Sequence, residues 1–341
     1  MSALTAPHDT LTLDISTLAT FTFRPFQGQA DFPRLLNVIQ KSKAADQFED
    51  ADTLESLTNF YSHLTNCDLN RDFIIAEAAG QVVAYGRVWW FDEDATADRI
   101  YGHVAFALPE WRGQGLGRAL LSWLEDRARA VAATHTHTGP RFFQAWGVSD
   151  KEIARRKLLE RAGYAPIRYF YTMVRPTLDD IPDAPLPPGL EVRPVQTEHL
   201  RAIWDASVEA FRDHGGFSEP TEDDYQSWLT DPVEFQPEVW KIAWDGEQVA
   251  GMVRGYIHHE QNKQFNRLRG WTENIAVCRP WRKRGLARAL MAENLRELKA
   301  RGMTEAALGV DTENPTGALR VYESLSFRAV EQRAVYRKPL T

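Results

Sequence analysis

The chain has 341 residues, carries a formal net charge of −7, and is 43% hydrophobic and 26% charged. This is the composition of a soluble globular protein, and the length suits two domains of roughly 150–170 residues each. The negative charge argues against nucleic-acid binding, and two cysteines cannot build a disulfide framework or a cysteine zinc site. No apolar run approaches about 18 residues and no leader pattern opens the chain, so we expect a cytoplasmic protein without membrane contact.

In chain order, residues 1–19 form an N-terminal extension without an assigned role, and a first set of elements fills residues 20–176. A strand near Phe23 leads to the helical segment RLLNVIQ, the hairpin DFIIAEAAGQVVAYGRVWW and the strand YGHVAFAL. The turn AAGQ has the small and polar residues that hairpins use. A glycine-containing turn, WRGQGLGR, then opens a helix whose apolar residues share one face.

The same order of elements returns in residues 189–341, after a proline-rich linker at residues 177–188. PEWRGQGLGRAL at residues 109–120 is echoed by RPWRKRGLARAL at residues 279–290. The opening strand, the hairpin and the segment after the last helix are echoed as well, at offsets of about 163 to 170 residues. Ordered self-similarity of this kind indicates the duplication of one α/β domain.

The repeated turn follows a strand and opens a helix, so its backbone N–H groups and the helix dipole can bind an anion such as phosphate. Neither copy has the Gly-Lys-Ser/Thr of a nucleotide P-loop or the glycine spacing of a dinucleotide fold. The residues that would form the two anion sites are Arg112, Gly113, Gln114, Gly115, Leu116, Gly117 and Arg118 in the first copy, and Arg282, Lys283, Arg284, Gly285, Leu286, Ala287 and Arg288 in the second.

Both turns match the pattern (Gln/Arg)-x-x-Gly-x-(Gly/Ala), and with the element order they make the chain resemble the GNAT superfamily of acyl-CoA N-acyltransferases. The resemblance covers nearly all of the chain from about residue 20. It implies an α/β fold of two tandem domains, each a mixed, splayed β-sheet flanked by helices. It also implies that the loops hold the pyrophosphate of acetyl-CoA, used as a co-substrate without a metal. The strand before each loop would pair with the pantetheine arm, through Ile275, Ala276 and Val277 and through Ala105, Phe106 and Ala107.

The segment VDTENPTGALRVYESLSF, in the second copy, differs from its counterpart in the first copy. By resemblance, Asn314 would contact the cofactor arm and Tyr322 would lie near its sulfur. A positioned phenol can protonate a leaving thiolate. In the first copy Leu159 stands opposite Tyr322 and cannot donate a proton. We therefore expect catalysis in the C-terminal domain and a non-catalytic N-terminal domain that can still bind acetyl-CoA.

Glu273 is the first candidate for the general base, because it shares strand parity with Ile275 and Val277. A solvent-exposed strand carboxylate is the competing interpretation of this residue. Other candidates for the base are Glu313, His258 and His259, and His103 occupies the Glu273 position in the first copy.

The segment at residues 211–232 is rich in Asp and Glu, so an acceptor pocket that it borders would attract a cationic amine. The expected reaction is acetyl transfer to the primary amine of a small molecule by direct attack. Protein N-termini or lysines are alternative acceptors, and a non-catalytic acyl-CoA-binding sensor is the rival class of function. The chain is expected to be a monomer or a homodimer.

Overall fold

The computed structural model describes residues 20–314 and 317–341. The N-terminal half contains β1 (Thr22–Arg24), α1 (Phe32–Ala45), α2 (Leu54–Ser62), β2 (Phe73–Ala78), β3 (Gln81–Glu93), β4 (Asp98–Ala107), α3 (Leu116–Ala133), β5 (Arg141–Ser149), α4 (Ile153–Arg161) and β6 (Ala165–Arg175). The predicted N-terminal extension, residues 1–19, lies outside the described residues.

The C-terminal half repeats this order with one strand interrupted and one short helix, His259–Gln264, added before it. It contains β7 (Glu191–Arg193), α5 (Leu200–Phe211), α6 (Glu222–Leu229), β8 (Lys241–Asp245), β9 (Gln248–Val253), α7 (His259–Gln264), β10 (Arg269–Trp271), β11 (Ala276–Val277), α8 (Leu286–Ala300), β12 (Glu305–Asp311), α9 (Ala318–Ser324) and β13 (Arg328–Pro339). Within the described residues, no helix is long and apolar enough to cross a membrane.

The predicted amphipathic helices bury the faces that their sequence periodicity indicates. In α3, Leu116, Leu120 and Leu124 are buried against the sheet, and in α8, Leu290 and Leu298 have no exposed surface. Both helices begin after a glycine in the left-handed region and present their first turns to solvent. The α/β fold of two sheets flanked by helices confirms the expected fold class.

The strands form a nine-stranded sheet, in the order β1-β2-β3-β4-β5-β13-β6-β12-β10, and a four-stranded sheet, in the order β11-β9-β8-β7. The last strand of each sequence repeat is exchanged. β6, which precedes the linker, pairs antiparallel with both β12 and β13, whereas β13 pairs antiparallel with β5. The large sheet therefore runs through both halves of the molecule.

The two hydrophobic cores show the same exchange. Met173 from β6 and Leu178 from the linker are buried in the core of the C-terminal half. Ala334 and Tyr336 from β13 are buried in the core of the N-terminal half. Arg175, only 1% exposed, fastens the linker by donating to the carbonyl oxygens of Asp180 and Leu325. The halves are thus joined by backbone pairing and by shared cores.

Candidate active site

The C-terminal half opens a gap where its central strand leaves one sheet for the other. β10 pairs in parallel with β12 as far as Trp271, and the Thr272 N–H donates to the Ala307 carbonyl at 2.8 Å. Asn274 then adopts a positive φ of 48°. Beyond it, β11 pairs with β9 in the four-stranded sheet. The sequence predicted one continuous strand here, and the left-handed residue explains the interruption.

The N-terminal half makes the same separation without breaking its strand. β4 pairs in parallel with β5 only from Arg99 to His103, but it remains paired with β3 as far as Ala107. Ala105, Phe106 and Ala107 therefore lie on the freed part of β4, where they line a cavity. Each half leaves a strand edge open next to the glycine turn.

Each turn presents a row of backbone N–H donors of the kind that can bind a phosphate. Gly115 and Gly285 have φ values of 88° and 85°, a conformation that favours glycine, and Lys283 joins them at 62°. First-turn N–H groups of a helix lack intrahelical acceptors. Within residues 20–314 and 317–341, the N–H groups of residues 113–117 and 283–287 donate to no other protein group. Free N–H donors at the N-terminus of a helix can bind a phosphate, and each half of the chain has one such set.

The first arginine of each turn forms an ion pair with an aspartate that follows the first α-helix of its half. Arg112 makes a bidentate pair with Asp46 at 2.7 and 2.8 Å, and Arg282 pairs with Asp213 at 2.7 Å. Each guanidinium also donates to the end of its own strand, at the carbonyls of Ala107 and Val277. Arg112 and Arg282, which are expected to add charge to the anion site, also hold the two turns in place through these contacts.

The exposed cations of the turns are different residues. Arg118 is exposed in the first turn, beside the neutral Gln114, and Lys283, Arg284 and Arg288 are exposed in the second. Leu286 is buried under the helix, and Ala287 is half-buried at its first turn. Charge that can reach a phosphate therefore comes from the residues after each tethered arginine.

A cavity of about 420 Å³ lies in the gap of the C-terminal half. It brings together Glu273, Ile275, Asn314 and Tyr322, four residues that the sequence assigned to the active site. Ala276, Val277 and the turn at residues 282–288 lie outside this cavity. The candidate acid, the candidate base and the residue expected to contact the cofactor arm thus line one cavity, and the turn lies outside it.

Glu273 is half-buried, and its Oε1 accepts a hydrogen bond from the Gly309 N–H at 2.7 Å. Burial raises the pKa of this carboxyl to about 8, against the opposing effect of the Gly309 hydrogen bond. The regular alternation from which Glu273 was selected does not hold, because the neighbouring Asn274 lines the same cavity. The carboxylate reaches the gap because the strand breaks beside it.

Tyr322 is 5% exposed and lies on α9. Burial, and secondly the nearby Glu273 charge, raise the pKa of its phenol above the ordinary value. Within the described residues, no group forms a hydrogen bond with its hydroxyl. The side chain is therefore a protonated phenol whose donor is free toward the cavity.

The cavity also contains groups that the sequence interpretation missed. Asp50 and Arg333, from the N-terminal half and from β13, line it and lie 3.5 Å apart. His214 lines it as well, and burial lowers the pKa of this imidazole. None of these residues belongs to a local motif: Asp50 lies in the segment between α1 and α2, His214 follows α5, and Arg333 is on the exchanged strand β13.

The other candidate bases lie elsewhere. His258 caps α7 by accepting from the Gln261 N–H, and its Nε2 contacts the Ala51 carbonyl oxygen at 2.9 Å. His259 and Glu313 are exposed, and none of the three lines the cavity. Glu273 is the carboxylate among these candidates that the fold places beside Tyr322.

The acidic segment after α5 is largely matched by local partners. Asp213 pairs with Arg279 and Arg282, which lower its pKa to about 2. Glu219 pairs with Arg212, and Asp224 is held by the Thr221 N–H at the start of α6. The attraction for a cation that its composition suggests is therefore weakened by these contacts.

The N-terminal half has a cavity of about 470 Å³ lined by its glycine turn and by the freed part of β4. His103 takes the place of Glu273, and its Nε2 lies 2.9 Å from the Tyr164 hydroxyl. Burial lowers the pKa of His103 to about 3, so the imidazole is neutral. Leu159 lines this cavity where the other half has Tyr322. Basic side chains on and beside α4 also line it: Arg155, Lys157 and Arg161.

These two strand–turn–helix units, each beside an open strand edge, define the class of acyl-CoA N-acyltransferases. The model of the acetyltransferase (GNAT) family matches residues 200–327, and a model of the acetyltransferase (GNAT) domain matches residues 70–166. The chain belongs to the GNAT acetyltransferase family. It is an N-acetyltransferase that moves acetyl from acetyl-CoA to an amine, as the sequence predicted.

Similar proteins span most of the chain. A mycothiol acetyltransferase of Streptomyces bingchenggensis is 30% identical over 269 residues, 76% of this chain and 79% of its own length. A mycothiol acetyltransferase of Salinispora arenicola is 28% identical over 312 residues, 90% of this chain and 94% of its own length. These relatives confirm the resemblance to mycothiol synthase that the duplication suggests.

Solved structures share the tandem fold. A GCN5-related N-acetyltransferase from Sphaerobacter thermophilus has a TM-score of 0.69 and 27% identity, and covers 94% of this chain and 96% of its own. A tandem GNAT protein from the clavulanic acid biosynthesis pathway has a TM-score of 0.66 at 14% identity, covering 94% of this chain and 99% of its own. Within the part of the chain that is described, no group of three or more potential ligands is placed to hold a metal ion.

Proposed function

We propose that the C-terminal half acetylates the primary amine of a small molecule, with Glu273 as general base and Tyr322 as general acid. The observation that carries this assignment is the single cavity of about 420 Å³ that both side chains line, together with Asn314. The names of the relatives, mycothiol acetyltransferases, support a small-molecule acceptor.

The base needs a pKa near the working pH. An amine in water is mainly ammonium and must lose a proton before its nitrogen can attack the acetyl carbonyl carbon. With a pKa raised to about 8, the carboxylate of Glu273 is a strong enough base to receive that proton. The Gly309 N–H fixes Oε1 of this carboxylate, which leaves its other oxygen for the acceptor or an intervening water.

The acid must give up a proton as the carbon–sulfur bond breaks. Acetyl-CoA, when bound, supplies the activated thioester. Tyr322 holds its proton throughout the neutral range, because burial raises its pKa. Glu273 takes the first proton from the ammonium and releases it to solvent. The nitrogen–carbon bond then forms, the carbon–sulfur bond breaks, Tyr322 protonates the sulfur, and the second nitrogen proton passes through Glu273 to restore the phenol of Tyr322. The pyrophosphate would be held by the N–H groups of residues 283–287.

The acceptor is proposed to be a primary amine that enters between the two halves. Asp50 comes from the N-terminal half and Asp311 from β12, and both line the cavity with Glu273. Asp311 pairs with Arg168, and Asp50 pairs with Lys43 and Arg333. Glu273 makes no ion pair within the described residues, so no protein cation competes with the amine for this side chain.

Tyr322→Phe is expected to lower kcat by about 100-fold, because a positioned general acid contributes at least that much. Its acetyl-CoA affinity should change little, since the ring that packs against Phe327 is kept. The measurement is coenzyme A release with a panel of primary amines. Tyr164→Phe is the matched control, because it removes a buried hydroxyl of the N-terminal half, the one that lies 2.9 Å from His103 Nε2. Unchanged turnover in Tyr322→Phe would remove the assignment of the acid.

The N-terminal half is proposed to bind acetyl-CoA without turnover, since Leu159 cannot donate a proton and His103 is held neutral by burial. Calorimetric titration of the full chain is then expected to give two acetyl-CoA sites. Gly117→Glu and Ala287→Glu place a carboxylate on either turn, and a side chain at Gly117 meets only Leu158, at 3.4 Å. Each variant should lose one site, because like charge repels the phosphates.

These two variants should differ in activity. Only Ala287→Glu is expected to lose turnover, whereas Gly117→Glu should keep it. One site in the wild-type chain, lost with Ala287→Glu alone, would show that the N-terminal half has no cofactor role. Loss of turnover with Gly117→Glu would instead place catalysis in both halves.

A further inference from the structure

A third cavity, of about 400 Å³, lies on the face of the large sheet that carries α2. The end of α2, β3, β5 and the first turn of α6 contribute to it, so both halves of the molecule form its wall. Four aromatic side chains line it: Phe60, Trp89, Phe91 and Trp146. Its residues are not those of the acetyl-CoA turns or of the Glu273 cavity.

One buried cation, Arg87, also lines this cavity. The residue is 6% exposed, and its guanidinium carbon lies 4.5 Å from the centre of the Trp89 ring and 5.1 Å from that of Phe60. Its Nε is buried without a hydrogen-bond partner. Ring faces stabilise the charge but do not accept its in-plane N–H donors.

Nothing in the described part of the chain neutralises Arg87 directly. No carboxylate there lies within 4.0 Å of it. The titratable groups beside it are the hydroxyls of Tyr61 and Tyr85 and the Cys67 thiol, and burial raises the pKa of all three, that of Cys67 to about 11. All three are neutral at pH 7, and His63 and Asp224 line the same cavity. A buried guanidinium without a counter-charge is costly, so an anion from solution would stabilise it.

In the C-terminal half, aromatic side chains fill the space around the equivalent arginine. Arg254 corresponds to Arg87, each six residues after the glutamine that opens its strand. It is also buried, with its guanidinium carbon 5.1 Å from the Trp228 ring centre, and its Nε and Nη1 also have no hydrogen-bond partner among the described residues, so the open space, and not the unpartnered nitrogen, distinguishes the two halves. There Trp228, Phe235 and Trp240 pack against one another, and the Glu234 charge acts on Arg254. The N-terminal half has the arginine but an open space instead of this packing.

We propose that this cavity binds a small aromatic carboxylate, with its carboxylate on Arg87 and its ring between Trp89, Phe91 and Trp146. Guanidinium and carboxylate match in planar, bidentate geometry, and aromatic rings favour aromatic ligands. The volume lies within the range of small-molecule pockets, about 300–1,000 Å³. Phe60 and Trp146 are 48% and 36% exposed, and a bound ring would cover them.

The charged groups around the cavity favour an anionic ligand over a cationic one. Asp224 at the edge is the one acid among the lining residues, and its Oδ2 already accepts from the Thr221 N–H and hydroxyl at 2.7 Å. An aromatic cation would leave Arg87 unmatched and would add a second positive charge beside it. The site is therefore selective for anions, and it is independent of the catalytic assignment.

The test is calorimetric titration of the full chain with benzoate, 4-hydroxybenzoate and indole-3-carboxylate, with benzamide as the neutral analogue. At least one carboxylate should bind saturably, and the amide should bind about tenfold more weakly or worse. Arg87→Met should reduce carboxylate affinity by about tenfold or more. Arg99→Met is the matched control, because Arg99 also stacks on a tryptophan, Trp90, but pairs with Asp92 and does not line the cavity.

Trp146→Ala is a second test variant in case Arg87→Met does not fold. Because Trp146 is partly exposed, its replacement should not unfold the chain. It should weaken carboxylate binding several-fold and leave acetyl-CoA binding unchanged. Failure of all three carboxylates to saturate the wild-type chain would overturn the proposal. So would equal affinity for acid and amide, or unchanged binding in both Arg87→Met and Trp146→Ala.

Discussion

Replacing Glu273 by glutamine is expected to lower kcat/KM by about 1,000-fold, within the range that general bases contribute. The amide oxygen can still accept the Gly309 N–H that Glu273 accepts at 2.7 Å, so the side chain should keep its position. What is lost is the ability to take a proton from the amine. Glu313→Gln is the matched control, because Glu313 is exposed and outside the cavity.

The same residue sets the expected pH dependence. The base works as a carboxylate, and its pKa is raised to about 8, so kcat/KM of the wild type should rise with pH and level off above about 8. Glu273→Gln should lose this ionisation from its profile. Measurement with an acceptor amine of low pKa keeps the acceptor's own ionisation out of the range. A wild-type profile that is flat between pH 6 and about 9 would contradict the assignment of Glu273.

Stability should change in the opposite direction to activity. The folded-state pKa of Glu273, about 8, lies above the ordinary value of 4.5, so the folded chain holds a proton that the unfolded chain has lost between these two values. The free energy of unfolding therefore falls as pH rises through this window. Glutamine carries no such penalty, so the melting temperature of Glu273→Gln should exceed that of the wild type at pH 8, and by less at pH 5. An equal difference at both pH values would show that burial is not the cause.

The local units of the fold could be predicted from sequence because each rests on neighbours in the chain. Positive φ at Gly115 and Gly285 follows from the glycines themselves, and the buried faces of α3 and α8 follow from leucine spacing. Tyr322 was found because its motif is short and continuous. These parts of the site depend on few long-range contacts, so their sequence signals are direct.

Contacts between residues that are far apart in the sequence could not be predicted in this way. Arg112 and Arg282 look like phosphate ligands in the linear motif, but their partners, Asp46 and Asp213, lie 66 and 69 residues away in sequence. The hydrogen bond between His103 and Tyr164 spans 61 residues. Sequence spacing carries no information on such pairs, and a single sequence contains no covariation that could reveal them.

The exchange of last strands was hidden for a related reason. β6 and β13 are equivalent strands of the two repeats, so either could be the last strand of either half with the same alternation of side chains. The proline-rich linker suggested two units that end where it begins. Side chains that differ between the strands, such as the buried Arg175 that reaches the Leu325 and Asp180 carbonyls, favour the exchanged pairing.

This exchange makes a strong prediction about dissection of the chain. A fragment of residues 177–341, cut at the linker, is expected not to fold cooperatively, because β6 lies between β12 and β13 and its removal leaves both without a partner on that side. The loss also opens the core that Met173 fills. Exposed strand edges of this kind promote aggregation. Circular dichroism during thermal unfolding, with size-exclusion chromatography, is the measurement.

The matched control is a fragment of residues 164–341, which differs only by keeping β6. It restores the order β13-β6-β12-β10 and leaves one edge of β13 open, where β5 pairs in the full chain. We expect this fragment to unfold cooperatively at a lower temperature than the full chain, and the shorter fragment to show no transition. Cooperative unfolding of the shorter fragment at the same temperature as the longer one would mean that β6 contributes nothing to the C-terminal half. Each half is instead expected to depend on a strand from the other, which keeps Asp50 and Arg333 at the wall of the Glu273 cavity.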